Sequence, residues 1–129
     1  LRVFFIVKEH EIFKRNGNDI YCEVPIGMTT AVLGGEVEVP TLEGKTKIKI
    51  PEGTQSGTIF RLRDKGIKQP SSDRRGSEII TIKVETPTNL TDKQKKILEE
   101  FDESLGKKNY KESHSFMEKI KKFFKKFDN

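Results

Sequence analysis

Few residues in this chain have the types and the spacing that catalysis or metal binding requires. The two histidines, His10 and His114, lie far apart in the sequence, and neither stands near a serine or cysteine nucleophile motif. Cys22 is the single cysteine, whereas a zinc site normally takes three or four cysteine or histidine ligands. Gly34-Gly35 lacks the following lysine and serine of a phosphate-binding loop. The sequence therefore predicts no catalytic residue, no metal site and a non-enzymatic protein, with Cys22 as a small buried hydrophobe.

A group of basic residues raises the question of nucleic-acid binding. Asp64 and Asp73 are interleaved with this group, and no aromatic residues accompany it as a stacking platform. We therefore interpret the group as a solvated strand face and loop, and expect no nucleic-acid partner. Its members are Arg61, Arg63, Lys65, Lys68, Arg74 and Arg75.

Composition indicates one domain, or one domain with a tail, in 129 residues. Hydrophobic residues make up 33% of the chain and charged residues 35%, so few apolar side chains are available to fill the core. No apolar run approaches the roughly 20 residues that a membrane span needs, and the first residues lack the basic region of a signal peptide. We expect no membrane partner. A single cysteine favours a reducing compartment, and we expect the cytoplasm.

Three short apolar alternations in the middle of the chain indicate consecutive strands. They lie at residues 37–39, 45–50 and 59–63. Glu43-Gly44 separates the first two, and the glycines of residues 51–57 separate the last two. The simplest arrangement is a three-stranded antiparallel meander.

Other segments also have clear local patterns. Residues 2–8 form a nearly continuous apolar strand, and residues 19–25 and 78–85 alternate as strands. Residues 29–33 fit one short helix with Gly34 at its C-cap. The polar residues 67–77 predict an exposed loop.

The end of the chain predicts two amphipathic helices. The first begins with a capping box, in which Thr91 is followed three residues later by Gln94, and ends at Gly106. The second begins with a similar pair, Ser115 and Glu118. The first apolar stripe is Ile97, Leu98, Phe101 and Leu105, and the second is Phe116, Met117, Ile120, Phe123, Phe124 and Phe127.

The second helix needs something to lie against, since a helix of this length is marginal alone in water. Five lysines surround its stripe within residues 115–127, in a chain whose net charge is +5. It fits three partners: its own domain, the same region of a second subunit, or an anionic membrane surface. The residues alone leave these alternatives open.

Two stretches resemble the C-terminal region of the DnaJ/Hsp40 co-chaperones. Residues 39–66, VPTLEGKTKIKIPEGTQSGTIFRLRDKG, are close to that family's V-P-T-L-x-G-x-x-x-L-x-I-P-x-G-T-Q-x-G-x-x-x-R-L-x-x-K-G. Residues 10–21, HEIFKRNGNDIY, match its H-x-x-F-x-R-x-G-x-D-L-Y. The resemblance extends over residues 3–103 and keeps unusual spacings in order, so it is specific.

This resemblance implies a homodimer that binds unfolded or misfolded polypeptides and passes them to an Hsp70 partner. Carried over by position, the dimer contacts are Leu90, Ile97, Leu98 and Phe101. The helical pattern of the tail adds Phe116, Ile120, Phe123, Phe124 and Phe127. Phe13 and Phe60 are candidate client-binding residues.

Other parts of that family are missing from this sequence. It contains no His-Pro-Asp tripeptide, no Gly/Phe-rich linker and no C-x-x-C-x-G-x-G zinc motif. We therefore expect no cofactor here, although full-length relatives often bind zinc through a cysteine-rich region. The chain begins at Leu1 within an apparent strand, and we expect a fragment of a longer protein.

The expected fold is mainly β: a small antiparallel β-sandwich of the Hsp40 C-terminal type, with a short internal helix and two C-terminal helices. Residues 1–9 would end a preceding β domain or form an interdomain strand, and residues 10–88 would form C-terminal domain II. Residues 89–106 would form the dimerisation helix, and residues 107–129 a linker and a basic amphipathic tail helix. The expected function is a co-chaperone module in cytoplasmic protein folding and heat-stress response. The alternative is a peripheral membrane or scaffold module that acts through the tail helix.

Overall fold

Strands occupy the first part of the chain and two long helices the last part. The computed structural model describes residues 10–71 and 73–127, so the strand predicted at residues 2–8 lies outside the described residues. The chain divides into two compact units between Pro87 and Thr88. The elements are β1 (Phe13–Asn16), β2 (Asp19–Gly27), α1 (Met28–Leu33), β3 (Gly35–Thr41), β4 (Gly44–Ile50), β5 (Ile59–Leu62), β6 (Glu78–Glu85), α2 (Asp92–Ser104), a 3₁₀ turn (Lys107–Asn109) and α3 (Lys111–Lys125).

A four-stranded sheet forms the centre of the first unit, with the strand order β1-β2-β6-β5. The two central strands run parallel, with Ile20 opposite Glu78 and Gly27 opposite Glu85. Alternate side chains of β2 point inward from Ile20 to Ile26 and are buried. These two strands confirm the period-two patterns of residues 19–25 and 78–85.

The second sheet is the β3–β4 hairpin, and it shares one core with the four-stranded sheet. Val39, Ile48 and Ile50 are buried in the same cluster as Ile20 and Ile80. The expected class of fold is therefore confirmed: it is mainly β, with two small sheets, one internal helix and two C-terminal helices. The parallel pairing of β2 with β6 is a departure from the antiparallel pairing that we expected for most of the sandwich.

The predicted three-stranded meander is wrong in its third strand. β5 pairs antiparallel with β6, with Phe60 opposite Ile80, and belongs to the other sheet. The segment just before β5 is also hydrogen-bonded to β6. Gly57 N–H donates to the carbonyl of Ile82 at 2.7 Å, and Ile82 N–H donates to the carbonyl of Thr58 at 2.8 Å. An alternating strand such as β5 fits either sheet, so long-range pairing decided its partner.

The short helix α1 confirms the glycine-capped turn. Gly34 has φ 81°, and its N–H donates to the carbonyl of Thr30 at 2.8 Å. A Cβ at this position would lie 2.9 Å from the carbonyl oxygen of Ile50. Glycine is therefore required both by the backbone conformation and by the approach of β4.

The predicted starts and ends of the helices in the second unit are only partly confirmed. The Thr91 capping box is present: Gln94 N–H donates to Thr91 Oγ1 at 3.1 Å, and Thr91 N–H donates to Gln94 Oε1 at 2.8 Å. However, α2 ends at Ser104 with Leu105 as its C-cap, not at Gly106. The capping box predicted at Ser115 is wrong, because α3 begins at Lys111 and contains Ser115 in its interior.

The predicted exposed loop at residues 67–77 has an ordered base against the β1–β2 turn. Gly66 N–H donates to the carbonyl of Gly76 at 2.9 Å, and Ile67 N–H donates to the carbonyl of Asn18 at 2.7 Å. A Cβ at Gly76 would collide with the carbonyl of Asn18. The loop therefore closes one end of the sheet and is not merely a solvated connection.

We expect Gly76→Ala to destabilise the first unit by about 1–3 kcal/mol, since the backbone must shift to relieve the collision. Urea unfolding followed by circular dichroism measures the change. Gly27→Ala is the matched control, because nothing lies within 4 Å of a Cβ at Gly27. Equal stability of the two variants would contradict the close approach at Gly76.

Candidate interaction surfaces

The stripe predicted on α2 is exposed to solvent. The accessible fraction is 56% for Ile97, 39% for Leu98 and 48% for Phe101, and no residue of the helix is buried. Leu90, just before the helix, is half-buried. Because water-soluble chains usually cover such a row of large apolar side chains, this face is a candidate contact surface.

The stripe of α3 is larger and more aromatic. Phe123 lies at the centre of a small cluster, with its ring 5.3 Å from that of Phe124 and 5.1 Å from that of Phe127, measured between centroids. All three rings are exposed, as is Phe116, whereas Ile120 is half-buried. No residue of α3 is buried. The helix therefore presents a second uncovered apolar face.

The two candidate client-binding residues lie in or against the core. Phe13 is only 7% exposed, and its ring centroid is 5.7 Å from that of His10. His10 Nδ1 accepts hydrogen bonds from the N–H groups of Ile12 and Phe13, both at 3.1 Å. Phe60 is half-buried and packs against the core cluster. They stand on β1 and β5, at opposite edges of the sheet, so the fold does not bring them together.

Glu78 is a buried carboxylate that inspection of the sequence missed. It is 0% exposed, and neither of its carboxylate oxygens has a hydrogen-bond partner. Burial raises the pKa of Glu78 from 4.5 to about 7, and the positive charge of Lys65 opposes this shift. The signal was available in the strand pattern, because Glu78 is in phase with the buried Ile80 and Ile82.

Cys22 faces the same interior and is chemically inert. Burial, followed by the charges of Glu78 and Glu23, raises the pKa of its thiol to about 11. The thiol therefore stays protonated, and a protonated thiol is a poor nucleophile and a poor metal ligand. The prediction of a buried structural cysteine is confirmed.

Neither a metal cluster nor a membrane-spanning helix is found in the described ranges 10–71 and 73–127. No group of three or more histidine, cysteine, aspartate or glutamate side chains is placed to hold a metal ion there. None of the helices in this part of the chain is long and apolar enough to cross a bilayer.

Comparison with known families agrees with the fold. Residues 1–87 match the family described as DnaJ C terminal domain, and residues 93–126 match the chaperone protein DnaJ C-terminal region. Together, these matches cover the strand-rich unit and most of the helical unit. The chain belongs to the DnaJ family, and it matches the C-terminal part of that family.

Curated relatives support the same assignment along nearly the whole chain. It is 54% identical to the chaperone protein DnaJ of Fusobacterium nucleatum over 125 residues, which are 97% of this chain and 32% of the relative. It is 57% identical to that of Ruthia magnifica over 118 residues, 92% of this chain and 32% of the relative. With that of Bacillus velezensis it shares 53% identity over 125 residues, 97% of this chain and 33% of the relative. The chain thus spans about a third of the length of these relatives.

We expect the buried carboxyl of Glu78 to make stability depend on pH. Its pKa is raised in the folded state, so its contribution is full below the unfolded pKa of about 4.5 and is lost as pH rises toward about 7. Glu78→Gln should flatten this decline and make the variant more stable than the wild type at pH 8, by at most about 3 kcal/mol. Urea unfolding at pH 5 and pH 8 measures the difference.

The matched control is Glu85→Gln, which removes an exposed carboxylate from the other end of β6. This variant should keep the pH dependence of the wild type. If Glu78→Gln loses stability between pH 5 and pH 8 as steeply as the wild type, the buried carboxyl is not the group responsible.

Proposed function

We propose that this chain is a non-enzymatic co-chaperone module that forms homodimers and binds unfolded clients for an Hsp70 system. It would act in protein folding and heat-stress response in the cytoplasm. The observation that carries this proposal is the pair of uncovered apolar faces on α2 and α3, in a chain of the DnaJ family. A second copy of the chain is the partner that we assign to these faces.

The energetics favour a partner for the two helices. They contain 13 and 15 residues, and helices of that length are marginal alone in water. Burying one large apolar side chain stabilises a structure by about 1.5–3 kcal/mol. A dimer contact supplies that burial, whereas the isolated second unit leaves every side chain of α2 and α3 at least partly exposed.

Dimerisation would support client binding through avidity. Joining two client-binding arms raises the effective concentration of the second arm for a client that is already held by the first. In this proposal Phe60 is the client-contacting residue, because its ring is partly accessible, whereas Phe13 is only 7% exposed and packs into the core. Hsp70 would receive the client through other segments of a longer protein, because the His-Pro-Asp tripeptide and the Gly/Phe-rich linker of the family are absent from this sequence.

We expect Phe101→Ala to weaken the dimer by about 2 kcal/mol, roughly thirtyfold in Kd, because it removes a large side chain from the contact. The sheet should keep its thermal stability, since α2 belongs to the other compact unit. Light scattering after size exclusion, at a series of concentrations, measures the association.

Leu33→Ala is the matched control. Leu33 ends α1 and is 72% exposed, so its loss removes apolar surface from the first unit alone and should leave the dimer intact. A Phe101→Ala chain that stays fully dimeric at low micromolar concentration would show that α2 is not the interface. A monomeric wild type would refute homodimerisation itself.

A membrane-associated role is the second candidate, because α3 combines exposed phenylalanines with lysines. Each lysine near an anionic membrane contributes about 1 kcal/mol. This role predicts sedimentation of the chain with phosphatidylserine vesicles and release at high salt. If α3 is covered in a dimer, we expect no more sedimentation with phosphatidylserine vesicles than with phosphatidylcholine vesicles.

A further inference from the structure

We propose that Lys65 changes its ion-pair partner with pH, from Glu43 at low pH to Glu78 at high pH. The exchange loosens the tip of the β3–β4 hairpin, where Glu43 lies, from the base of the 67–77 loop. It goes beyond the proposed function, because it concerns the first unit alone. The arrangement of a few charged side chains around the start of β6 carries it.

Glu78 is the group in this arrangement that lacks a partner. It is fully buried at the start of β6, opposite Ile20 of β2 and Leu62 of β5. Within the part of the chain that the structure describes, neither of its carboxylate oxygens accepts a hydrogen bond. A buried carboxylate that ionises without a partner is strongly unfavourable. The ionised form of Glu78 therefore requires a cation to approach it.

Lys65 is placed to be that cation. The chain turns directly after β5, where Asp64 has a left-handed backbone conformation with φ 63°. The next turn of backbone is fixed beside β6, because Gly66 N–H donates to the carbonyl of Gly76 at 2.9 Å. The positive charge of Lys65 already lowers the pKa of Glu78 against the effect of burial. The backbone at Lys65 is thus held in place, while its flexible four-carbon side chain can turn.

Lys65 is at present paired with Glu43. Its Nζ lies 3.7 Å from Glu43 Oε2, and Arg75 Nη1 lies 3.5 Å from Glu43 Oε1. These two ion pairs tie the tip of the hairpin to both sides of the base of the 67–77 loop. All three side chains are partly exposed, and exposed ion pairs contribute little to stability. The pair of Lys65 with Glu43 is therefore readily exchanged for a pair with ionised Glu78.

The titratable groups of β2 near Glu78 offer it no positive charge. Cys22 faces the same interior, and its thiol stays protonated because burial raises its pKa to about 11. Asp19 is acidic, and its Oδ1 already accepts a hydrogen bond from Ser77 N–H at 2.7 Å. Neither residue can neutralise an ionised Glu78.

The other elements packed around Glu78 keep their charges on the outside. Arg61 and Arg63 flank Leu62 and are exposed. The charged side chains of the β3–β4 hairpin are exposed as well, namely Glu36, Glu38, Lys45, Lys47 and Lys49. Of the cations near the start of β6, Lys65 is therefore the one whose charge acts on Glu78.

Protonation of Glu78 sets the direction of the exchange. Because burial raises the pKa of this carboxyl from 4.5 to about 7, Glu78 is neutral at pH 5 and Lys65 keeps Glu43. At pH 8.5 the carboxyl is mostly ionised, and Lys65 moves to it. Of the two ion pairs that the structure gives Glu43, only the pair with Arg75 then remains.

An NMR titration of the isotope-labelled full chain from pH 5 to pH 8.5 tests the exchange. The carboxyl carbons of Glu43 and Glu78 and the Cε carbon of Lys65 report the two pairs. In the wild type we expect all three signals to shift with one midpoint, near pH 7. In Glu78→Gln the signals of Glu43 and Lys65 should keep their low-pH positions, because the amide does not ionise. Glu85→Gln, at the exposed other end of β6, is the matched control and should titrate as the wild type does.

Two exposed-side variants keep the test sharp if Glu78→Gln folds poorly, which circular dichroism shows. Glu43→Gln frees Lys65 at every pH, so the midpoint of Glu78 should fall by about one unit, a tenfold loss of proton affinity. Lys65→Met should raise that midpoint and leave the Glu43 signal unchanged while Glu78 titrates.

Three results would overturn the exchange. The first is a Glu78 carboxyl that titrates while the signals of Glu43 and Lys65 stay still. The second is a Glu78 carboxyl that does not titrate between pH 5 and pH 8.5. The third is a Glu43 shift that persists in Lys65→Met, since the charge of Glu78 would then act on Glu43 directly and not through Lys65.

Discussion

The parallel pairing of β2 with β6 is the contact on which the rest of the first unit depends. Parallel strands cannot be joined by a tight turn, so the chain must leave the end of β2 and return to the start of β6 by a long crossover. That crossover holds α1, the β3–β4 hairpin and β5. Ile20, Ile80 and Ile82 are fully buried within this pair. The ends are tied as well, because Ser77 N–H donates to Asp19 Oδ1 at 2.7 Å and Ile20 N–H donates to the carbonyl of Ser77 at 3.0 Å.

The same pairing explains the buried carboxyl of Glu78. Its register opposite Ile20 and Leu62 places it inside the sheet, where no hydrogen-bond partner reaches it. A buried carboxylate without a partner favours its neutral form. Burial therefore raises the pKa of Glu78 to about 7 and favours its protonated form, and burial also keeps the nearby thiol of Cys22 neutral by raising its pKa.

The two units differ in how they treat their apolar residues. The first unit buries a continuous cluster drawn from both sheets. The second unit leaves the apolar faces of α2 and α3 uncovered, beside charged side chains that make few ion pairs. Apolar burial is thus concentrated in the strands, and exposed apolar surface in the helices. This separation suits the proposed module, in which a folded β domain is joined to a second copy by its C-terminal helices.

Local features were readable in the sequence because the physical interactions that cause them span only a few residues. The Thr91 capping box, the Gly34 cap of α1, the alternation of β2 and β6 and the stripes of α2 and α3 are all of this kind. Tertiary structure alone decided that β5 joins β6, that β2 and β6 run parallel, and that Phe13 packs inward. The phase of Glu78 with Ile80 and Ile82 was readable in the sequence, but the register opposite Ile20 and Leu62 is what buries its carboxyl completely. These outcomes depend on pairing between segments that lie dozens of residues apart in the sequence. Alternating strands of similar composition can pair with more than one partner strand, so their local pattern does not select one.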